Sequence, residues 1–144
     1  MPDVKLAVRN ETLGKRRAMS TESQKQKSQA IVNYLIELSL FKDAITIATY
    51  LPLKSEVDVS RLLRLKHRAK SFVAPRTLPN FELSFHRVTS SDTFELGFGD
   101  VQQPIESADF VSISKIDLFL VPLAACDRKG NRLGFGRGYY DRAL

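Results

Sequence analysis

The sequence predicts a single-domain α/β fold of three layers, a mainly parallel, Rossmann-like sheet with helices on both faces. Three observations carry this. The run Ala44 to Leu51 (AITIATYL) is β-branched and almost continuously apolar, as suits a parallel strand buried on both faces. The run Asp117 to Pro122 (DLFLVP) is the strongest buried-strand signal of the second half. Strand and helix patterns succeed one another along the chain, which implies right-handed crossovers in one sheet.

The elements follow in order. Residues 4–18 read as a helix, with Leu6, Val8 and Leu13 as a modest apolar stripe among Lys5, Arg9, Lys15, Arg16 and Arg17. Ser20 or Thr21 offers an N-cap, with Gln24 three residues after Thr21. The second helix runs to about Phe41, its apolar positions Ile31, Leu35 and Leu38 recurring at helical spacing beside Val32 and Ile36. Pro52 ends the first strand. Asp58 is expected to cap a third helix, Val59 to Ala69, and Ser71 to Ala74 forms a second strand. Leu83 to Val88 alternates and reads as a third. Gly97, Gly99 and Pro104 mark turns in the mixed stretch 89–110. Asp127 to Asn131 is a turn, a glycine-rich loop follows, and Tyr139 begins a helix. Ligands of such sheets collect beyond the carboxyl ends of the strands. Two segments are expected there: Pro52–Asp58 and the glycine loop.

Composition narrows the function classes. The 144 residues make one typical domain, and 43% hydrophobic with 26% charged residues excludes a disordered or fibrous chain. The longest apolar run, Leu118 to Cys126, is interrupted by Pro122 and falls short of the ~18 residues that cross a bilayer. The N-terminus lacks the apolar core of a secretory signal. The single cysteine, Cys126, makes no internal disulfide or thiolate zinc cluster and is expected to be buried filler. A cytoplasmic location is the simplest expectation. Residues 1–70 hold 14 Lys/Arg against 7 Asp/Glu, whereas residues 71–144 hold 8 against 9. The basic first half suits an anionic partner or a solvated helical face.

The densest chemical signal is Gly130 to Arg142 (GNRLGFGRGYYDR). Gly134, Gly136 and Gly138 let backbone N–H groups approach an anion, and Arg132 and Arg137 can add charge-assisted bonds to phosphate. The G-x-G-x-G spacing is neither the dinucleotide fingerprint nor the P-loop, so on spacing alone a plain flexible loop stays open. Asp141 can bring Mg²⁺ to a phosphate or merely complement a helix start. Lys5 and Arg9, four apart, can grip one polyanion or be two solvated cations. Glu56 can accept bonds from a ligand's N–H groups or be a loop acid paired with Lys54. His67 reads as solvated and His86 as a sheet residue.

Taken together, four stretches resemble the 5-formyltetrahydrofolate cyclo-ligase (methenyltetrahydrofolate synthetase) family. They are Lys5 to Met19, Tyr50 to Asp58, Ala74-Pro75-Arg76, and Leu120 to Leu144. The motif R-L-G-x-G-x-G-Y-Y-D-R after a buried strand and a D-x-x-G turn is the most specific of them. The resemblance implies ATP-dependent cyclisation of 5-formyltetrahydrofolate, polyglutamylated or not, to 5,10-methenyltetrahydrofolate. It implies an ATP site at Lys5, Arg9 and Arg132, Leu133, Gly134, Phe135, Gly136, Arg137, Gly138, Tyr139 and Tyr140. It implies a folate site at Leu51, Glu56 and Phe135 to Tyr139, with Arg137 and Tyr139 closest to the chemistry. Asp141 is implied as a magnesium ligand.

There are departures. Cys126 replaces a usual aromatic, and Gln103 stands before Pro104 where an acid is common. Family members continue for several tens of residues, which complete the last helix, add a strand and supply a second metal-site aspartate. The sequence as given is therefore expected to bind ATP–Mg²⁺ more weakly than an extended form and to be less stable or to self-associate; a monomer or weak oligomer is the expected state. Two alternatives compete: a nucleotide- or folate-binding pseudoenzyme, and a basic nucleic-acid module. Against the last, the aromatics are not interleaved with the basic stretches. No nucleic-acid or membrane partner is expected.

Overall fold

The structure, a computed structural model, describes residues 3–65, 69–92 and 94–144. Helix α1 is Val4–Ala18, opened by the Asp3 carboxylate accepting from Leu6 N at 3.2 Å. Only Leu13 of this helix is buried, so its polar face stays free for other parts of the chain. Helix α2 is Thr21–Glu37, and Ser20 is the N-cap, its hydroxyl accepting from Ser23 N. Gln24 reaches back to the carbonyls of Arg16 and Met19, both at 3.1 Å, and so joins the two helices.

The second helix does not run unbroken to Phe41. Leu38 is extended, and a separate short helix α3, Ser39–Asp43, follows. The break turns Phe41 into the core at 2% exposure. Lys70 then closes α3, donating to the carbonyls of Phe41, Lys42 and Ala44 at 2.6, 2.9 and 2.6 Å. These are the groups a helix end leaves unpaired.

Strand β1, Thr46–Ala48, lies between β2 (Ser71–Leu78) and β7 (Leu118–Phe119), parallel to both. Strand β3, Glu82–Val88, is antiparallel to β2, and β6, Phe110–Val111, is antiparallel to β3. The order is β6-β3-β2-β1-β7, and only β3 runs against the other four. The expected mainly parallel α/β sheet is therefore present, with one reversed strand. Its two cores centre on Ile47 and Leu62 on one side and on Val73 and Phe85 on the other. Strands β4 (Phe94–Leu96) and β5 (Gln102–Pro104) form a side ribbon, and β8 (Ala125–Cys126) pairs with β9 (Arg132–Leu133).

Four expectations need correction. The third helix is only α4, Arg61–Arg64, because Leu65 is already extended. Asp58 does not cap it; its carboxylate accepts from Ser60 N and Oγ and shapes the turn before it. Residues 66–68, with His67, lie outside the described residues. Strand β7 is only partly buried, because it is a sheet edge paired with β1 alone. Cys126 is exposed, since β8 is half of a surface hairpin. His86 is the expected sheet residue, with Nδ1 2.8 Å from Ala108 O and Nε2 2.9 Å from Ser84 Oγ.

Candidate functional site

The glycine loop leaves a hairpin that Asp127 stiffens. Its Oδ1 accepts from Lys129 N and Asn131 N at 2.9 Å each, and its Oδ2 from Asn131 Nδ2 at 2.8 Å. These bonds, those from Asn131 foremost, hold the Asp127 carboxyl below its ordinary range. Leu133 completes the hairpin, its carbonyl accepting from Ala124 N at 2.8 Å. Beyond it, Gly136 (φ +98) and Gly138 (φ +74) take left-handed conformations that side chains disfavour. A Cβ at Gly138 would also lie 2.5 Å from the Arg142 guanidinium. Helix α5, Tyr139–Ala143, follows directly.

Helix α1 holds this loop from outside. Arg9 Nε donates to Gly134 O at 2.8 Å, and its guanidinium lies 3.6–3.7 Å from the Cβ position of Gly136. Two turns further along, Arg16 Nη1 donates to Leu123 O at 2.9 Å and its guanidinium stands 5.7 Å from the Phe135 ring centroid. Residues seven apart lie on one helix face, so both arginines point to the same segment. Lys5 is exposed one turn before Arg9.

The first strand's carboxyl end supplies the acid. Leu51 is buried in the core at 7% exposure, which makes it a support rather than an open surface. Glu56 accepts from Leu53 N at 3.2 Å, and no Lys54 pair occurs among the described residues. Burial pushes its carboxyl up, against the Leu53 N–H and the positive charge of Arg16. Tyr50 donates to Val57 O at 2.8 Å, and burial pushes its phenol up, as it does that of Tyr140. Each phenol also feels the Glu56 charge, so the three side chains share one neighbourhood.

Arg132 lies 5.9 Å from the Tyr140 ring centroid and donates to Asp141 Oδ1 at 2.7 Å. The Asp141 side chain is 79% exposed. No group of three His, Cys, Asp or Glu side chains that could hold a metal occurs among the described residues. The loop therefore offers a single exposed carboxylate, already bonded to Arg132, and not a complete metal cage.

A second cluster faces the loop. The ring of Tyr139 lies 5.7 Å from that of Phe81 and 6.5 Å from that of Phe98. Arg137 stands 4.7 Å from the Phe98 centroid, Arg142 stands 5.5 Å from that of Phe81, and Arg142 donates to Arg137 O at 2.9 Å. Phe81, Phe98, Tyr50, Arg16 and Arg142 were not among the sequence-derived site residues. The seven-residue spacing of Arg9 and Arg16 was a readable signal; the ring positions were not, because they come from turns distant in sequence.

Three buried side-chain atoms lack a hydrogen-bond partner among the described residues: Arg16 Nε, Thr49 Oγ1 and Tyr140 Oη. Thr49 directly follows β1, and the other two flank the glycine loop. Two clefts lie elsewhere, beside the amino end of β2 and the carboxyl end of β3, where Arg87, Val88 and Thr89 line both. They contain no glycine-loop residue, and the unpartnered polar atoms are the better guide to chemistry.

The family model of the 5-formyltetrahydrofolate cyclo-ligases matches residues 2–144. A 5-formyltetrahydrofolate cyclo-ligase of Mycoplasma pneumoniae is 34% identical over 143 residues, 97% of this chain and 76% of that protein. One from Escherichia coli K12 is 28% identical over 134 residues, 90% of this chain and 74% of that protein. Among solved structures, the Aquifex aeolicus 5,10-methenyltetrahydrofolate synthetase matches with a TM-score of 0.85 and 34% identity, covering 99% of this chain and 72% of the other. The M. pneumoniae synthetase matches at 0.77 and 31%, covering 99% and 77%.

Proposed function

The chain belongs to the 5-formyltetrahydrofolate cyclo-ligase family, and from that premise we propose that it closes 5-formyltetrahydrofolate to 5,10-methenyltetrahydrofolate with consumption of ATP. The observation that carries this reading at the level of chemistry is the meeting of three elements. The carboxyl end of β1, the exposed-faced helix α1 and the glycine loop converge on unpartnered buried polar atoms.

The formyl group on N5 is amide-like and a poor electrophile. The γ-phosphoryl group of ATP passes to the formyl oxygen and ADP leaves. N10 then attacks the activated carbon, loses its proton, and the C–O bond breaks with release of phosphate. Such a reaction needs charge placed on phosphates and two substrates held in line more than it needs a triad. Lys5, Arg9 and the Arg132–Tyr140 segment serve the nucleotide. Arg137 offers its guanidinium to the transferring phosphoryl group, and Tyr139 packs beside the reacting ring. Glu56 takes N–H groups of the folate, with Leu51 beneath it and Phe135 to Tyr139 opposite. Asp141 would hold a magnesium ion accompanying the nucleotide, and such an ion would supply charge compensation between the phosphates and the carboxylate. Asp141 would offer Oδ2 to it, since Oδ1 already accepts from Arg132 at 2.7 Å.

A folate with a polyglutamate tail suits the basic first half of the chain. The protein works as a cytoplasmic monomer or weak oligomer without nucleic acid. No described helix is long and apolar enough to cross a membrane. The test is formation of the methenyl product and of ADP, with each substrate omitted in turn. Both products should require both substrates and magnesium. ADP release that does not depend on the folate would overturn the assignment.

A further inference from the structure

We propose that Arg16 is a positioning residue for the folate side of the reaction, bracing the Leu123–Phe135 wall while facing Glu56. This rests on the cyclo-ligase reading above and extends it to a residue outside the ligand-binding motifs.

The geometry is specific. From α1, Arg16 reaches 107 residues along the chain to Leu123 O at 2.9 Å. The same guanidinium stands 5.7 Å from the Phe135 ring centroid, within cation–π range. Its Nε is buried and keeps a free donor. The positive charge of Arg16 on α1 reaches Glu56, the Glu56 charge reaches the phenols of Tyr50 after β1 and Tyr140 on α5, and Glu56 takes the Leu53 N–H of its own loop. Arg16 is the one cation among these groups. One side chain therefore touches the loop that meets the nucleotide and places a positive charge in the neighbourhood of the acid that meets the folate. Arg9, by contrast, bonds Gly134 O and lies against Gly136 without reaching Leu123 or Glu56 among the described contacts, and it is assigned to the nucleotide. The two arginines divide one helix face between the two substrates.

The division makes the inference testable by separating the two KM values. Arg16→Met should raise KM for 5-formyltetrahydrofolate by about tenfold or more, the loss expected for a charged contact, while KM for ATP moves far less. Arg16→Lys should recover part of the folate KM, because it keeps the charge near Glu56 but cannot span Leu123 O and Phe135 together. If Arg16 acts through Glu56, Arg16→Met in a Glu56→Gln background should add little further loss. Thermal unfolding of each variant accompanies the kinetics, and Arg16→Lys supplies the comparison if Arg16→Met fails to fold. Equal changes in both KM values, or full additivity in the Glu56→Gln background, would reduce Arg16 to a helix-docking contact and overturn the inference. A wild-type chain that neither binds 5-formyltetrahydrofolate in a titration nor turns it over would instead overturn the function itself, and this inference with it.

Discussion

Two regions of the molecule are held by arginines that reach across the fold, and they end in opposite states. On the β2–β5 side, Arg76 bonds Glu95 and donates to Pro104 O at 2.6 Å. Gln103, 7% exposed, accepts from Thr77 N and Oγ1 at 3.1 Å each and lies 3.4 Å from Glu95 through its amide nitrogen. Glu95 supplies Arg76 with its carboxylate, and Gln103 sits neutral beside the pair. On the α1 side, Arg9 and Arg16 reach carbonyls in the same manner, yet Arg16 Nε and Tyr140 Oη stay buried without partners. An unpartnered buried polar group costs about 1–3 kcal/mol. One region has its polar groups satisfied and is scaffold. The other keeps polar groups open, which is what a site that pairs with ligand requires.

The largest effect that tests this contrast belongs to the scaffold. Phe85 is 1% exposed and packs edge-on against Phe119 at 5.6 Å. Phe85→Ala should cost about 3–5 kcal/mol in urea unfolding. Tyr140 packs against the same cluster, so nucleotide and folate affinity in the folded fraction should fall as well, but far less than stability does. A fall in affinity as large as the fall in stability would erase the distinction between the regions.

The next effects belong to the open side. Arg137→Ala and Lys5→Ala should weaken nucleotide binding, and Glu56→Ala folate binding, each by about 1.5–3 kcal/mol. Lys5 and Arg137 are exposed, so their stability cost should stay within about 0.5 kcal/mol. Titration of each variant with each ligand checks the roles, and exchanged phenotypes would reverse them. Arg137→Lys should not restore full affinity where the guanidinium makes a two-pronged contact.

The contrast also explains what could be read from sequence. Ala44 to Leu51 and Leu83 to Val88 announced their strands because burial there follows period and composition. The loop glycines were legible because Gly136 and Gly138 need φ values that other residues avoid. The break at Leu38 and the short α4 were not legible. They follow from where Phe41 and Leu62 must be buried, which only the assembled core decides. Nor was the convergence of Phe81, Phe98 and Tyr139, since three separate turns create it. Cys126 misled because small neighbours suggested burial, whereas a hairpin placed it outside.

The smallest expected effect runs against intuition. Burial raises the Glu56 carboxyl above its ordinary range, more than Leu53 N–H and Arg16 lower it. A carboxyl whose folded pKa is raised favours the fold below the unfolded value, about 4.3 for glutamate, and that contribution is lost as pH rises through the folded value. At neutral pH the ionised Glu56 is therefore a net cost. Glu56→Gln keeps an oxygen for Leu53 N–H without the buried charge. The variant should melt slightly higher than wild type at neutral pH, and the gain should shrink as pH falls from the raised folded value to the unfolded one, about 4.3. The same variant should lose folate affinity, so stability and binding move in opposite directions at one atom. Melting curves across pH, paired with folate titrations, test both halves. A Glu56→Gln chain that melts lower at neutral pH would mean that Glu56 is held as scaffold, like Glu95, and would move it to the other side of the comparison.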